Sequence, residues 1–301
     1  MSRTDAQSPP DPLSSTSTSA PAPAPAPAPR PAPAGQRLKP LAELPLPRLR
    51  TVRGVLTDID DTLTREGAIE PAALAALQAL ARAGVPVIAI TGRPAGWSEP
   101  FALAWPVAAI VAENGGVMLR RDPADGRLRT DFSADAATRD LHGRRLRACA
   151  TAVLAAVPEA RLATDSAGRL TDIAIDHSEF SPLDAAQIAQ VVAVMQQHGL
   201  TATVSSIHVN GWLGLHSKWT AAHWAVEQAL GVAFEPAEWI FVGDSTNDQL
   251  MFERIPLSVG VANIARFLPQ LTVFPEFVCS KERGEGFAEL AMAVLAARTP
   301  G

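Results

Sequence analysis

The sequence has few of the features of an exported or disulfide-stabilised protein. Among its 301 residues there are only two cysteines, Cys149 and Cys279, and both stand in apolar surroundings. So sparse a pair provides neither a disulfide framework nor a cysteine metal site, and it is typical of core thiols in a reducing compartment. We therefore expect a cytoplasmic protein.

Long apolar runs and dense basic tracts are also missing. The longest apolar run, residues 101–112, is shorter than the ~20 residues that a transmembrane helix needs, and Pro106 interrupts it. The net charge is -5 without a Lys/Arg cluster, so neither a membrane nor a nucleic acid is an expected partner. What remains is a composition with 47% hydrophobic and 19% charged residues, which is typical of a globular protein with a substantial core.

The first 49 residues differ in composition from the rest. Ala and Pro alternate through most of residues 20–34, a pattern that favours extended polyproline II and offers no apolar surface to bury. The segment also lacks the apolar run of a signal peptide, so export is not indicated. We interpret residues 1–49 as a disordered, solvated tail; whether it has a protein partner is left open.

After residue 50, short apolar segments alternate with Ala- and Leu-rich helical segments. This order predicts an α/β fold with a Rossmann-like parallel sheet. The predicted strands are residues 52–59, 85–92, 107–114, 239–244 and 257–263. The predicted helices are residues 70–84, 216–231, 247–255 and 286–297.

Between residues 117 and 212 the pattern changes to a hairpin around Asp125 and Gly126, two helices and further strands. We interpret residues 117–212 as a smaller α+β cap domain inserted into a core made of residues 50–116 and 213–301. Insertions of this size in α/β domains usually cover the site.

Polar side chains follow several of the predicted strands. Asp58, Thr91 and Asp244 each come at the end of an apolar strand, and Lys218 begins a helix. Ligands of open α/β sheets bind beyond the carboxyl ends of the strands, so these groups are expected to converge. Carboxylates that meet there would repel one another without a cation, and oxygen ligands without a Cys/His set favour Mg²⁺. The sequence therefore predicts a Mg²⁺ site beside a phosphate site.

The order of these motifs resembles the haloacid dehalogenase-like (HAD) superfamily. The chain contains Asp-x-Asp-x-Thr at residues 58–62, the strand-end Thr91, then Lys218 and Gly-Asp-x-x-Asn-Asp at residues 243–248. The resemblance covers essentially all of the chain after residue 50. The inserted unit is similar to that of subfamily IIB, which includes sucrose-phosphate, mannosyl-phosphoglycerate and trehalose-phosphate phosphatases and phosphomannomutases. Four motifs in order are far more specific than any one alone.

The resemblance implies a role for each matching residue. Asp58 would be the nucleophile that forms an aspartyl-phosphate, and Asp60 the acid/base that protonates the leaving oxygen and then activates water. The Mg²⁺ ligands would be the carboxylates of Asp58 and Asp244, the backbone carbonyl of Asp60 and, directly or through water, Asp248. The implied phosphate- and substrate-binding residues are Thr91, Gly92, Arg93, Lys218 and Asn247.

Two further features concern the turn after the nucleophile and the cap. Asp61 stands where many relatives carry Gly, and we interpret it as a turn residue rather than a ligand. In the cap, strand alternation puts Ser206, His208, Asn210 and Trp212 on one face. His208 and Asn210 are candidates for contacts with sugar hydroxyls; the alternative is an ordinary solvated cap strand.

We predict a Mg²⁺-dependent phosphatase that hydrolyses a small phosphorylated metabolite, with a sugar phosphate as the favoured substrate. Two alternatives stay open. A phosphomutase of the same fold would return the phosphoryl group from Asp58 and would require a bisphosphorylated activator. A regulatory binding protein would have kept the fold without turnover, but the intact Asp58, Asp60, Lys218 and Asp244 argue against it.

Overall fold

A sheet of nine strands forms the centre of the structure. The structure is a computed structural model that describes residues 38–298. Within that range the strands are β1 (Lys39–Pro40), β2 (Gly54–Thr57), β3 (Thr64–Arg65), β4 (Ala68–Ile69), β5 (Val87–Ile90), β6 (Ala109–Ala112), β7 (Val117–Arg121), β8 (Leu128–Phe132), β9 (Arg161–Leu162), β10 (Asp172–Asp176), β11 (Thr201–Val204), β12 (His208–Trp212), β13 (Trp239–Gly243), β14 (Leu257–Gly260) and β15 (Phe277–Val278). The helices are α1 (Leu46–Arg50), α2 (Pro71–Arg82), α3 (Ala95–Ala104), α4 (Ala136–Ala156), α5 (Ala185–Gln197), α6 (Lys218–Leu230), α7 (Gln249–Arg254) and α8 (Arg283–Arg298).

The order of the strands creates a crevice at the middle of the sheet. In space they run β1-β15-β14-β13-β2-β5-β6-β7-β8. All neighbours from β1 to β6 are parallel, which confirms the predicted α/β class with a parallel sheet. From β2 the chain continues to β5 and β6 on one side, whereas β13, β14 and β15 build the other side. Such a switch point opens a ligand crevice at the carboxyl ends of the two central strands, β2 and β13.

The central strands are buried at every position because helices cover both faces of the sheet. β2, β5 and β6 are buried at every position, a situation that requires a continuous apolar run rather than alternation. Helices α2, α3 and α8 pack on one face, and α6 and α7 pack on the other. None of the helices between residues 38 and 298 combines the length and apolar character needed to cross a bilayer.

The cap is a second, smaller unit made of one sheet and one layer of helices. Its antiparallel sheet has the order β11-β12-β10-β9, and α4 and α5 cover one face of it. Val209 and Leu213 point into the apolar layer beneath these helices, as the alternation predicts. The opposite face of the cap sheet lies against the core, where the Asn210 side chain reaches the backbone of Gly92.

The cap begins later in the chain than the sequence predicts. The hairpin of β7 and β8, assigned from sequence to the cap at residue 117, instead extends the core sheet antiparallel to β6. The chain reverses between β6 and β7 through Glu113, Asn114 and Gly115, which all have positive φ. The sequence of a hairpin does not specify which sheet edge it joins, because the unpaired backbone N–H and C=O groups on its edge can bond to any adjacent strand. The cap therefore starts at residue 133.

The core begins earlier than the sequence predicts. Part of the segment predicted as tail, residues 39–49, contributes β1, which pairs with β15, and most of α1, which packs beside α8. Leu41, Leu44 and Leu49 are buried there. The Ala/Pro composition ends before these leucines, and the predicted boundary at residue 49 followed the prolines. The predicted disorder of residues 1–37 lies outside the described residues.

Two N-terminal deletions should separate the tail from the core. Deleting residues 2–37 should leave the melting temperature nearly unchanged, because an Ala/Pro tract has little apolar surface to contribute. Deleting residues 2–50 removes three buried leucines, and each buried leucine is worth about 1.5–3 kcal/mol. We expect that protein to melt well below the other or to fail to fold. Thermal unfolding of both proteins in one buffer checks this, and equal melting temperatures would contradict it.

Candidate active site

The central crevice brings together acidic residues from two adjacent strands. β2 and β13 are parallel, with Thr57 opposite Val242, so Asp58 and Asp244 leave the sheet side by side. Asp248 joins them from the short 3-10 helix Thr246–Asp248. Oxygen atoms of the three carboxylates lie within 4.8 Å of one another, and all three residues are buried. The predicted convergence of the acidic motifs is therefore present in the fold.

These buried acids fit a hard divalent cation. Burial raises the pKa of Asp58 to about 7, although the Lys218 charge opposes the shift. Burial, together with the charges of Asp58 and Asp248, raises the pKa of Asp244 well above its ordinary value. Asp244 Oδ1 is buried and has no hydrogen-bond partner among the described residues. An orphaned carboxylate oxygen within an all-oxygen donor set is the chemistry that Mg²⁺ prefers.

Lys218 neutralises part of this negative charge. Its Nζ lies 2.6 Å from Asp58 Oδ1 and 2.7 Å from Asp248 Oδ1, and the side chain is 3% exposed. Burial acts to lower the pKa of Lys218, but the charges of Asp248 and Asp58 outweigh burial and raise it. Lys218 is held in place because α6 begins there, behind a capping box formed by Ser217 and Thr220. The lysine is therefore a fixed cation beside the carboxylate of Asp58.

The loop after β5 supplies the predicted phosphate-binding residues. Thr91 is fully buried, and its hydroxyl oxygen accepts a hydrogen bond from the Arg93 backbone N–H at 3.0 Å. A Cβ at Gly92 would lie 3.1 Å from the Asn210 amide oxygen and 3.3 Å from Asn114 Nδ2, so a larger residue would require these two amide groups to shift by a few tenths of an ångström. The loop is thus packed closely between the core and the cap.

Arg93 binds the second motif aspartate. Its Nε lies 3.0 Å from both carboxylate oxygens of Asp60, and the arginine is 5% exposed. Burial is the largest influence on Asp60 and raises its pKa, while the Arg93 charge opposes the rise. The sequence suggested either a phosphate contact or a surface ion pair for Arg93. The ion pair is buried and directed at Asp60 rather than lying on the surface, and the phosphate contact of Arg93 stays a prediction.

The turn after Asp60 is tied to the far wall of the crevice. Asp61 has a φ of 56°, as a tight turn requires, and its carboxylate accepts hydrogen bonds from Arg266 and Arg283. Arg266 and Asn263 also donate to Asp244 Oδ2, at 3.0 and 3.1 Å. Our sequence interpretation missed Arg266 and Asn263. They follow β14, so the strand-end pattern that revealed Asp58 could have found them.

The remaining predicted residues lie around the crevice. Asn247 Oδ1 is 3.4 Å from Lys218 Nζ. His208 Nε2 is 3.1 Å from Glu179 Oε2, and Asn210 Nδ2 donates to the Gly92 carbonyl at 3.2 Å. His208 and Asn210 are buried against the core, so the alternative of an ordinary solvated strand face is wrong for these two residues. Their contact with sugar hydroxyls stays a prediction.

Comparisons with known proteins agree with this geometry. A family model described as haloacid dehalogenase-like hydrolase matches residues 55–139. The chain is 27% identical over 245 residues to a phosphoglycolate phosphatase of Methanothermobacter thermautotrophicus, which covers 79% of this chain and 96% of the relative.

Solved structures share the whole fold, cap included. A protein of Thermoplasma acidophilum aligns with a TM-score of 0.61 and 19% identity, over 81% of this chain and 98% of its own. The sucrose-phosphatase of Synechocystis, in complex with sucrose and phosphate, aligns with a TM-score of 0.59 and 17% identity, over 81% and 98% of the two chains. The chain is thus similar to haloacid dehalogenase-like hydrolases: the family model matches residues 55–139, and the solved structures share the fold of the core and the cap.

Proposed function

We propose that this chain is a Mg²⁺-dependent phosphatase that hydrolyses the phosphate ester of a small polyhydroxylated metabolite, a sugar phosphate. The observation that carries the proposal is the buried contact of Asp58 with Lys218 beside two further carboxylates. A carboxylate held next to a fixed cation can approach a phosphate dianion, which free carboxylates repel. The matched phosphoglycolate phosphatase supports the phosphatase class.

The reaction would proceed in two displacements on phosphorus. A carboxylate oxygen of Asp58 bonds to phosphorus while the bond to the leaving oxygen breaks, and Asp60 gives its proton to that oxygen. Asp60, now ionised, then takes a proton from water as the water oxygen attacks the phosphorus of the aspartyl-phosphate. Inorganic phosphate leaves, and Asp58 and Asp60 return to their starting states. Burial raises the pKa of Asp60, which favours the protonated form that the first displacement needs.

The magnitudes explain why so many groups are required. Hydrolysis of a phosphate monoester calls for an acceleration of up to ~10²¹-fold, of which a general acid supplies only ~10²–10⁴. Positioning, covalent catalysis and charge stabilisation must supply the rest. Mg²⁺, when held by Asp58, Asp244, Asp248 and the Asp60 carbonyl, would neutralise charge on the phosphoryl oxygens. Lys218 adds a second positive charge from the protein itself.

The charges at the cap–core boundary favour a neutral leaving group over a carboxylate. The two arginines at the cap–core boundary are already bound to protein carboxylates: Arg93 to Asp60, Asp165 and Glu179, and Arg169 to Asp165 and Asp172. A substrate carboxylate would have to displace one of these anions. Sugar hydroxyls, in contrast, can donate hydrogen bonds to the same acceptors. We therefore favour a sugar phosphate over phosphoglycolate, whose leaving group carries a carboxylate.

A panel of phosphate monoesters tests the proposal. The purified chain, stripped of metal with EDTA, should release phosphate only after Mg²⁺ is restored. We expect a kcat/KM for at least one sugar phosphate that exceeds the value for phosphoglycolate by about tenfold or more. No Mg²⁺-dependent release from any ester would refute the phosphatase, and faster turnover of phosphoglycolate would refute the substrate class. Activity that depends on a bisphosphorylated sugar would indicate the phosphomutase instead.

A further inference from the structure

Arg93 connects the acid/base residue of the core to two carboxylates of the cap. Its Nε binds Asp60, while Nη1 lies 3.2 Å from Asp165 Oδ2 and Nη2 lies 3.0 Å from Glu179 Oε1. Glu179 Oε2 is also within 3.5 Å of Nη1, so this carboxylate contacts both Nη groups of the guanidinium. Because the fork is planar and rigid, fixing its two Nη groups also fixes the direction of the Nε–H bond.

The cap holds Glu179 in a prepared position. His208 Nε2 lies 3.1 Å from Glu179 Oε2. This hydrogen bond is the largest cause that lowers the pKa of Glu179 to about 2, and the Arg93 charge lowers it further. The turn that carries Glu179 is fixed by Asp176, which is almost fully buried. The Asp176 carboxylate accepts hydrogen bonds from the backbone N–H groups of Ser178, Glu179, Phe180 and Ser181. Glu179 is therefore a rigid, ionised group on the cap.

We propose that Glu179 and His208 are positioning residues that orient Asp60 through Arg93 when the cap is closed. His208 holds Glu179, Glu179 holds the far end of the Arg93 guanidinium, and Arg93 directs the Asp60 carboxyl toward the leaving oxygen. When the cap lifts, Arg93 loses the Glu179 and Asp165 contacts, and Asp60 is left with a freely rotating partner. Asp60 then transfers its proton to the leaving group efficiently only while the cap is closed. The closed cap also excludes water from the crevice while the aspartyl-phosphate forms. The inference rests on the proposed phosphatase activity.

A leaving-group series measures the effect of Glu179→Gln. Glutamine keeps the size of the side chain but has one acceptor oxygen, so it cannot serve both Nη groups and His208. For esters of alcohols that leave poorly, kcat/KM should fall about 10–100-fold, part of the ~10²–10⁴ that a general acid supplies. For nitrophenyl phosphate, whose leaving group needs little protonation, the loss should stay below about threefold. The slope of log kcat/KM against leaving-group pKa should thus become steeper.

Matched variants separate positioning from a general structural role. Glu159→Gln removes the same charge from an exposed cap residue away from Arg93 and should leave the slope and the melting temperature unchanged. His208→Ala should steepen the slope as Glu179→Gln does. His208→Gln should return the slope most of the way to the wild-type value, because the glutamine Nε2 can replace the imidazole Nε2 as the hydrogen-bond donor. Equal losses across the series in Glu179→Gln, or no loss relative to Glu159→Gln, would overturn the proposal.

A second measurement does not depend on turnover. Proton–nitrogen correlation spectra of the arginine side chains can identify the Arg93 Nε–H signal by its loss in Arg93→Lys. That proton should exchange slowly with water in the wild-type protein and in Glu159→Gln, and at least about tenfold faster in Glu179→Gln, because the guanidinium loses its fixed orientation. Unchanged exchange in Glu179→Gln would overturn the positioning role even if no ester were hydrolysed. Failure of the proposed function would instead appear as a wild-type protein without Mg²⁺-dependent activity.

Discussion

Asp58→Asn should abolish phosphate release, with a loss of at least about 10⁴-fold in kcat on any substrate, because the amide cannot form the covalent intermediate. The substitution keeps the size of the side chain at the end of β2, and Lys218 retains Asp248 as a partner at 2.7 Å. Phosphate release measured with saturating Mg²⁺ and substrate checks this result. Residual turnover within a factor of ten of the wild type would refute Asp58 as the nucleophile.

Stability serves as the control for that variant. The folded-state pKa of Asp58 is raised from 3.8 to about 7, so the folded protein holds this proton more tightly than the unfolded chain does. The contribution of Asp58 to stability is therefore present at low pH and is lost as the pH rises from 3.8 to about 7. Above that window, metal-free Asp58→Asn should melt no lower than the metal-free wild type. A clearly lower melting temperature would mean that lost activity reflects a damaged fold.

Asp60→Asn should trap the phosphorylated enzyme. The backbone carbonyl of residue 60 is unchanged, so the proposed metal site keeps that ligand, while the proton donor and acceptor are lost. Turnover of esters with poor leaving groups should fall by ~10²–10⁴-fold, the usual contribution of a general acid/base. With nitrophenyl phosphate the first displacement should continue, and hydrolysis of the aspartyl-phosphate should become limiting.

Intact-protein mass spectrometry after acid quenching measures this intermediate. We expect Asp60→Asn to gain the mass of one phosphoryl group on mixing with nitrophenyl phosphate and Mg²⁺. The double variant Asp58→Asn/Asp60→Asn should gain none, which ties the adduct to Asp58. An Asp60→Asn protein that is never phosphorylated under these conditions would argue against Asp60 as the base for the second step.

The location of the site could be predicted because it follows from strand direction alone. Asp58 and Asp244 end parallel apolar strands, and the carboxyl ends of parallel strands share one edge of the sheet. Lys218 was a candidate because it begins the helix that precedes β13. These are local signals, and each depends on residues within a few positions of the side chain concerned.

Other parts of the molecule could not be read from local signals. The hairpin of β7 and β8 has the same alternation whether it joins the cap or the core sheet, and only the edge left open by β6 decided its place. The segment from β1 to α1 has too few residues for a periodic pattern, and Leu41, Leu44 and Leu49 join the core cluster that also contains residues of α8. Both corrections concern contacts between segments far apart in the sequence.

By itself, the sequence determined the α/β class, the order of the core strands along the chain, and the residue types that meet in the crevice, since apolar periodicity and strand-end motifs are local properties of the chain. Only the tertiary structure decided which partners those residues have. Arg93 is bound to Asp60, Asp165 and Glu179, which lie 33, 72 and 86 residues away in the sequence, and His208 contacts Glu179 from the neighbouring strand of the cap sheet. Such ion pairs depend on how the cap packs against the core, and no single segment of the sequence determines that packing.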